Sequence, residues 1–129
     1  MAKIKELEIL WQHVHDTAPA KIDMDQYFTR EGAPACLLGR ATEIGWTGLQ
    51  RKERSWGGGS SPVSGNHSSH KAGEKFFEIT EEDAEYLFDQ PNSRRAEDLE
   101  PGETWFQPVP TDIVLTRLTN VIEFYKSLD

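Results

Sequence analysis

Between Thr111 and Leu128 the chain repeats Ile113, Val114, Leu118, Val121, Ile122, Tyr125 and Leu128 at intervals of three and four residues. That period places all seven on one face of an α-helix, and Thr111 is suited to cap its first turn. A helix with so broad an apolar stripe is stable only when the stripe is covered. The rest of the chain must therefore supply complementary apolar faces around it, and this helix should be the central core element.

Three other segments read as helices that could do so. Residues 3–15 align Ile4, Leu7, Leu10, Trp11 and Val14, and Asp16, Thr17 and Pro19 should stop that helix. Asp23 to Phe28 is expected to add one helical turn. Pro34 fits a first helical position, where its missing N–H costs nothing, and Cys36, Leu37, Leu38, Ala41 and Ile44 follow as an apolar stripe. In this second helix Gly39 leaves room for a neighbouring backbone, Gly45 is a natural stop, and Trp46 could fold back on the helix end. Thr80 can cap a further helix whose first turn holds Glu81, Glu82 and Asp83, with Ala84, Tyr86, Leu87 and Phe88 behind them and Pro91 ending it. These readings predict a mostly α-helical single domain over residues 1–129. It is a small bundle of about four helices near 3–15, 34–45, 80–89 and 111–127, with long loops and room for at most a minor hairpin between 46 and 79.

The stretch 51–75 is rich in glycine, serine and histidine, and it reads as a flexible loop within that domain. No window approaches the roughly 20 apolar residues of a membrane span. The first residues lack the apolar centre of a signal peptide, so a cytoplasmic location is expected. Cys36 is the single cysteine, excludes an internal disulfide, and lies among Ala35, Leu37 and Leu38 as a small buried hydrophobe.

Charge is unevenly spread. The net charge is −8, and residues 76–112 alone carry eleven Asp and Glu against two Arg. Such a balance argues against direct nucleic-acid binding, which needs a basic face, and favours solubility or a basic partner.

The pieces Asp23-Met24-Asp25-Gln26-Tyr27-Phe28, Cys36-Leu37-Leu38-Gly39-Arg40-Ala41 and Ile79-Thr80-Glu81-Glu82-Asp83-Ala84-Glu85-Tyr86-Leu87-Phe88, taken in that order, resemble a family of small uncharacterised bacterial and phage helical proteins. The family pattern is Asp-Met-x-x-aromatic, Cys-x-x-Gly-x-Ala and Thr-x-Glu-x-Ala-x-x-Leu-Phe. Here Tyr27 stands where tryptophan is common, and the Gly/Ser/His stretch and the connection from Arg94 to Glu103 look specific to this chain. The resemblance implies a small helical fold and an origin among phage or mobile-element accessory genes. Such genes often encode proteins that bind and block host machinery.

No catalytic constellation emerges. His67-x-x-His70 misses the i, i+4 spacing that sets two imidazoles on one helical face, and no cysteine pair supports a metal site. Cys36 on a buried face is no nucleophile. The glycines at 57–59 lack the Gly-Lys-Ser/Thr ending of a phosphate loop. Consecutive carboxylates at 81–83 are what helix capping alone selects. The chain is therefore read as a non-enzyme with no cofactor and no metal.

Two functions fit what remains. In the first, the chain docks on a host protein with a basic surface through Glu81, Glu82, Glu85, Asp89, Glu97 and Asp98 with Trp105 alongside, and no membrane is involved. In the second, Arg51, Lys52, Arg54, Trp56, His67, His70 and Lys71 gather around a small phosphorylated or nucleotide ligand, since the 51–75 stretch carries a local charge of +3 amid glycines. Trp56 and Trp105 either pin their loops to the core or serve as interface anchors.

Overall fold

A computed structural model describes residues 2–23, 26–29, 33–53, 60–88 and 109–128. Along the chain run α1 (Ile4–Thr17), β1 (Lys21–Ile22), α2 (Leu37–Ala41) with a 3-10 turn at Thr42–Ile44, β2 (Gln50–Glu53), β3 (Ser60–Ser64) and β4 (His67–Ser68). After these come α3 (His70–Phe77), α4 (Glu81–Phe88), β5 (Val109–Pro110) and α5 (Thr111–Lys126). The described residues thus form a mixed α/β fold of five helices and two antiparallel sheets, β1–β5 and β2–β3–β4. This corrects the helical bundle expected from the sequence.

The correction comes almost wholly from the stretch read as a flexible loop. Its described part is a three-stranded sheet followed by α3. Gly65, at φ 58°, takes the first central position of the two-residue turn joining β3 to β4. Ser61 and Pro62 of β3 are buried, and the strand packs on α3, whose Ala72, Phe76 and Phe77 enter the core. Gly73 reads locally as a helix breaker, yet it sits inside α3. A Cβ there would lie 2.6 Å from the ring of buried Phe88, so its absence is what lets α4 close on α3.

The second helix is shorter than expected. Pro34 pairs with Phe28 in an isolated antiparallel bridge, and the Ala35 N–H donates to the Tyr27 carbonyl at 3.0 Å. The described part of the expected Asp23–Phe28 helical turn is therefore not helical, and residues 27–29 pair with 33–35 instead. Cys36 caps α2 instead, its Sγ accepting from the Gly39 N–H at 3.4 Å, and its side chain is fully buried. Gly45, at φ 95°, closes the 3-10 turn as its left-handed stop. The Trp46 ring packs 4.9 Å from Phe76 and 5.7 Å from Phe77, where Phe88 also stacks.

α5 lies at the centre, as its stripe requires. Val114, Leu118, Val121, Ile122 and Tyr125 are buried against Leu7, Leu10 and Val14 of α1 and the neighbouring elements. Its first residue is tied to the segment after α1: the Thr111 N–H donates to Ala20 O at 2.8 Å and its hydroxyl to Pro19 O. The residue before α5 is Pro110, so Thr111 stabilises this end through a long-range bond and not as the expected N-cap. Leu128, the last residue of the stripe, falls beyond α5 and is 64% exposed.

Gly39 provides a direct check on this packing. Alanine normally favours a helix over glycine by about 1 kcal/mol, but a Cβ at Gly39 would overlap the Tyr27 carbonyl oxygen, a backbone atom that cannot rotate away. Gly39→Ala is expected to lower the unfolding free energy by about 2 kcal/mol, measured by urea titration. An unchanged or raised midpoint would contradict the close approach of the Tyr27 arm to α2.

Candidate functional site

The start of α4 sorts its acidic residues into two kinds. The Asp83 N–H donates to Thr80 Oγ1 at 3.2 Å while the Thr80 hydroxyl donates to Asp83 Oδ2 at 3.0 Å, a reciprocal cap. Tyr125 joins from α5: its hydroxyl donates to Asp83 Oδ2 at 2.7 Å and accepts the Thr80 N–H at 2.9 Å. Burial, and then the hydrogen bond to Asp83, push the Tyr125 hydroxyl above its ordinary value. Asp83 is thereby turned inward as a structural group. Glu81, Glu82 and Glu85 remain exposed on the same helix, and among the described residues none of them has an ion-pair partner.

The basic side chains are differently placed. Lys71 and Lys75 lie 3.2 and 3.4 Å from Glu74, whose side chain is 8% exposed. Burial alone would raise the Glu74 pKa, but the hydrogen bonds from the two lysines outweigh it and hold the carboxyl below its ordinary value. Lys126 reaches Glu8 at 3.1 Å and so joins α5 to α1. Arg51 donates to Ser60 Oγ at 2.9 Å and lies 3.8 Å from Glu53. Where α4 presents carboxylates with no ion-pair partner among the described residues, these cations already have partners.

Of the residues proposed from sequence for a phosphorylated ligand, the described ones are spread over β2, β4 and α3. Arg51 and Lys52 are exposed on β2, His67 is exposed on β4, and β3 runs between them. Two strand spacings, about 10 Å, separate them before any side chain is considered. Lys71 is engaged with Glu74, and His70 is half-buried at the start of α3. Arg54 and Trp56 lie outside the described residues, as do Asp89, Glu97, Asp98 and Trp105 of the acidic set.

The imidazoles of α1 diverge, as their spacing requires. His13 Nε2 lies 3.5 Å from Glu43, whereas His15 stacks on Trp11 and lies 3.1 Å from Asp16. Among the described residues no three His, Cys, Asp or Glu side chains come together as a metal cage would need. No described helix is long and apolar enough to cross a membrane. No family model, no curated protein and no solved structure matches the chain.

Sequence reasoning did not find Tyr125 or Glu74. The signal for Glu74 was present as lysines three before and one after it. For Tyr125 the signal was a hydroxyl on an otherwise apolar face, a group that must find a partner when buried.

Tyr125→Phe should cost about 2 kcal/mol of stability at neutral pH, because it leaves the Asp83 carboxylate and Thr80 N–H without their partner. The contribution also has a pH signature. Below pH 10 the hydroxyl keeps its proton in both states and stability is full. As pH rises past the ordinary value of 10.0, the unfolded chain ionises first and stability falls until the folded group ionises too. Denaturant titrations between neutral pH and pH 11 should show this decline in the natural chain and its loss in Tyr125→Phe. Parallel curves would remove Tyr125 from the account.

Proposed function

We propose that this chain is a protein-binding accessory protein that acts by docking and not by catalysis. It presents the acidic face of α4 to a basic surface of a partner protein in the cytoplasm. The observation that carries the reading is the contrast between Glu81, Glu82 and Glu85, exposed with no ion-pair partner among the described residues, and cations such as Lys71, Lys75 and Lys126, which are already paired. Three like charges on two turns of helix repel one another and are relieved when a cationic surface approaches. The surrounding sequence extends the same sign: the proposal includes Asp89, Glu97 and Asp98, with Trp105 as an aromatic anchor beside them.

The wider reading is a phage or mobile-element protein that blocks a host system. It is supported by the motif order that resembles small bacterial and phage proteins and by an acidic field able to compete for a basic groove. Direct binding of nucleic acid is disfavoured by the net charge of −8.

The test is capture from host lysate on immobilised natural chain and on a Glu81→Lys, Glu82→Lys, Glu85→Lys variant, with circular dichroism to verify that the variant folds. A defined protein retained by the natural chain and reduced at least about tenfold on the variant is expected. Equal retention on both would end the acidic-surface reading. A thermal-shift screen against nucleotides should leave Tm unmoved, whereas a saturable rise would favour the Arg51–Lys75 ligand instead.

A further inference from the structure

α5 ends before its apolar stripe does. Leu128 carries the stripe past Lys126 and is 64% exposed, and Phe124 on the preceding turn is 52% exposed. Leu128 is not an isolated surface leucine. It lines a groove of about 400 Å³ together with Ala2, Ile4, Glu78, Ile79, Thr80 and Tyr125. The groove is apolar within and open to solvent, and it is large enough for an aliphatic or aromatic side chain.

The charge around it selects what can enter. Glu78 closes α3 in the left-handed conformation, at φ 55°, with its carboxylate half-exposed. The cation beside it is Lys3, at a long 3.9 Å. Thr80 in the lining is followed directly in sequence by Glu81 and Glu82, the first turn of α4. An isologous contact with a second copy would set this acidic rim against itself, and anionic lipid headgroups or nucleic acid would meet the same repulsion. A cationic protein segment meets Lys3 but is attracted by Glu78, Glu81 and Glu82.

We infer that the groove receives one apolar side chain from a partner segment bearing Lys or Arg on either side of it. The cations lie along Glu78, Glu81 and Glu82, and the apolar residue covers Leu128 and Ile79. The inference rests on the acidic docking reading and deepens it: the carboxylates set orientation and encounter rate, while the groove supplies the desolvated contact on which residence depends.

The probe is a random peptide library displayed on ribosomes and selected against the full chain. Selected peptides are synthesised and titrated against the natural chain, Leu128→Ser and Glu81→Lys, Glu82→Lys. Because Leu128 is exposed, its serine variant should keep the natural melting temperature. The expected result is a consensus of one apolar residue flanked by Lys or Arg, with affinity lowered at least about tenfold by each variant.

Failure of selection, or a consensus without basic residues, overturns the inference. Affinity unchanged in Leu128→Ser but lost in the charge variant overturns the groove while leaving acidic docking intact. Affinity lost in Leu128→Ser but unchanged in the charge variant keeps the groove as a contact but overturns acidic docking, and with it the inference of flanking cations. Sedimentation showing a dimer of the natural chain that Leu128→Ser dissociates would assign the groove to a second copy and overturn the inference too.

Discussion

The seam between α1 and α5 holds the molecule together, and the other elements are placed by it. Leu7, Leu10 and Val14 meet the stripe of α5 in a fully apolar contact, and Glu8–Lys126 closes one edge. Burial of several aliphatic side chains, each worth about 1.5–3 kcal/mol, fixes α5 laterally. Hydrogen bonds then fix it along its axis. At its start, Thr111 bonds to the carbonyls of Pro19 and Ala20, and β5 pairs with β1. Near its end, Tyr125 grips Asp83 and Thr80. The first turn of α4, and with it the direction in which its glutamates face, is therefore set by a residue more than 40 positions away.

How much of this could be read from sequence followed the range of the forces involved. The helices α1, α4 and α5 were legible because an apolar period, a capping threonine and a breaking proline all act within a few residues. That Thr80 caps α4 was legible for the same reason, whereas the choice of Asp83 as its partner was not. α3 was not, because its buried face is Ala72, Gly73, Glu74, Phe76 and Phe77, in which two small residues and a carboxylate interrupt the apolar pattern. Gly73 is a breaker by local propensity and a packing residue only once Phe88 stands over it. β3 is serine-rich with Val63 its single β-branched residue; it is a strand because β2, β4 and α3 surround it, not because of intrinsic preference.

The candidate site divides along the same line. That residues 76–112 are acidic is plain from composition, but composition does not say which carboxylates are structural. The fold withdraws Asp83 into a hydrogen-bonded cap and leaves Glu81, Glu82 and Glu85 outside. It also withdraws Lys71 and Lys75 onto Glu74, so the basic stretch that looked available in sequence is partly spent within α3. Leu128 reverses in the other direction. Periodicity assigns it to the core, but α5 stops at Lys126 and its side chain is left beside a groove. The functional reading follows from these reassignments more than from any motif.

Hydrogen exchange, measured on the chain alone and on the chain saturated with its captured partner, tests that reading most directly. Added protection is expected from Glu78 to Phe88 and at the end of α5, with β2, β3 and β4 unchanged. Protection centred on β2–β4, with α4 exchanging as in the free chain, would contradict it.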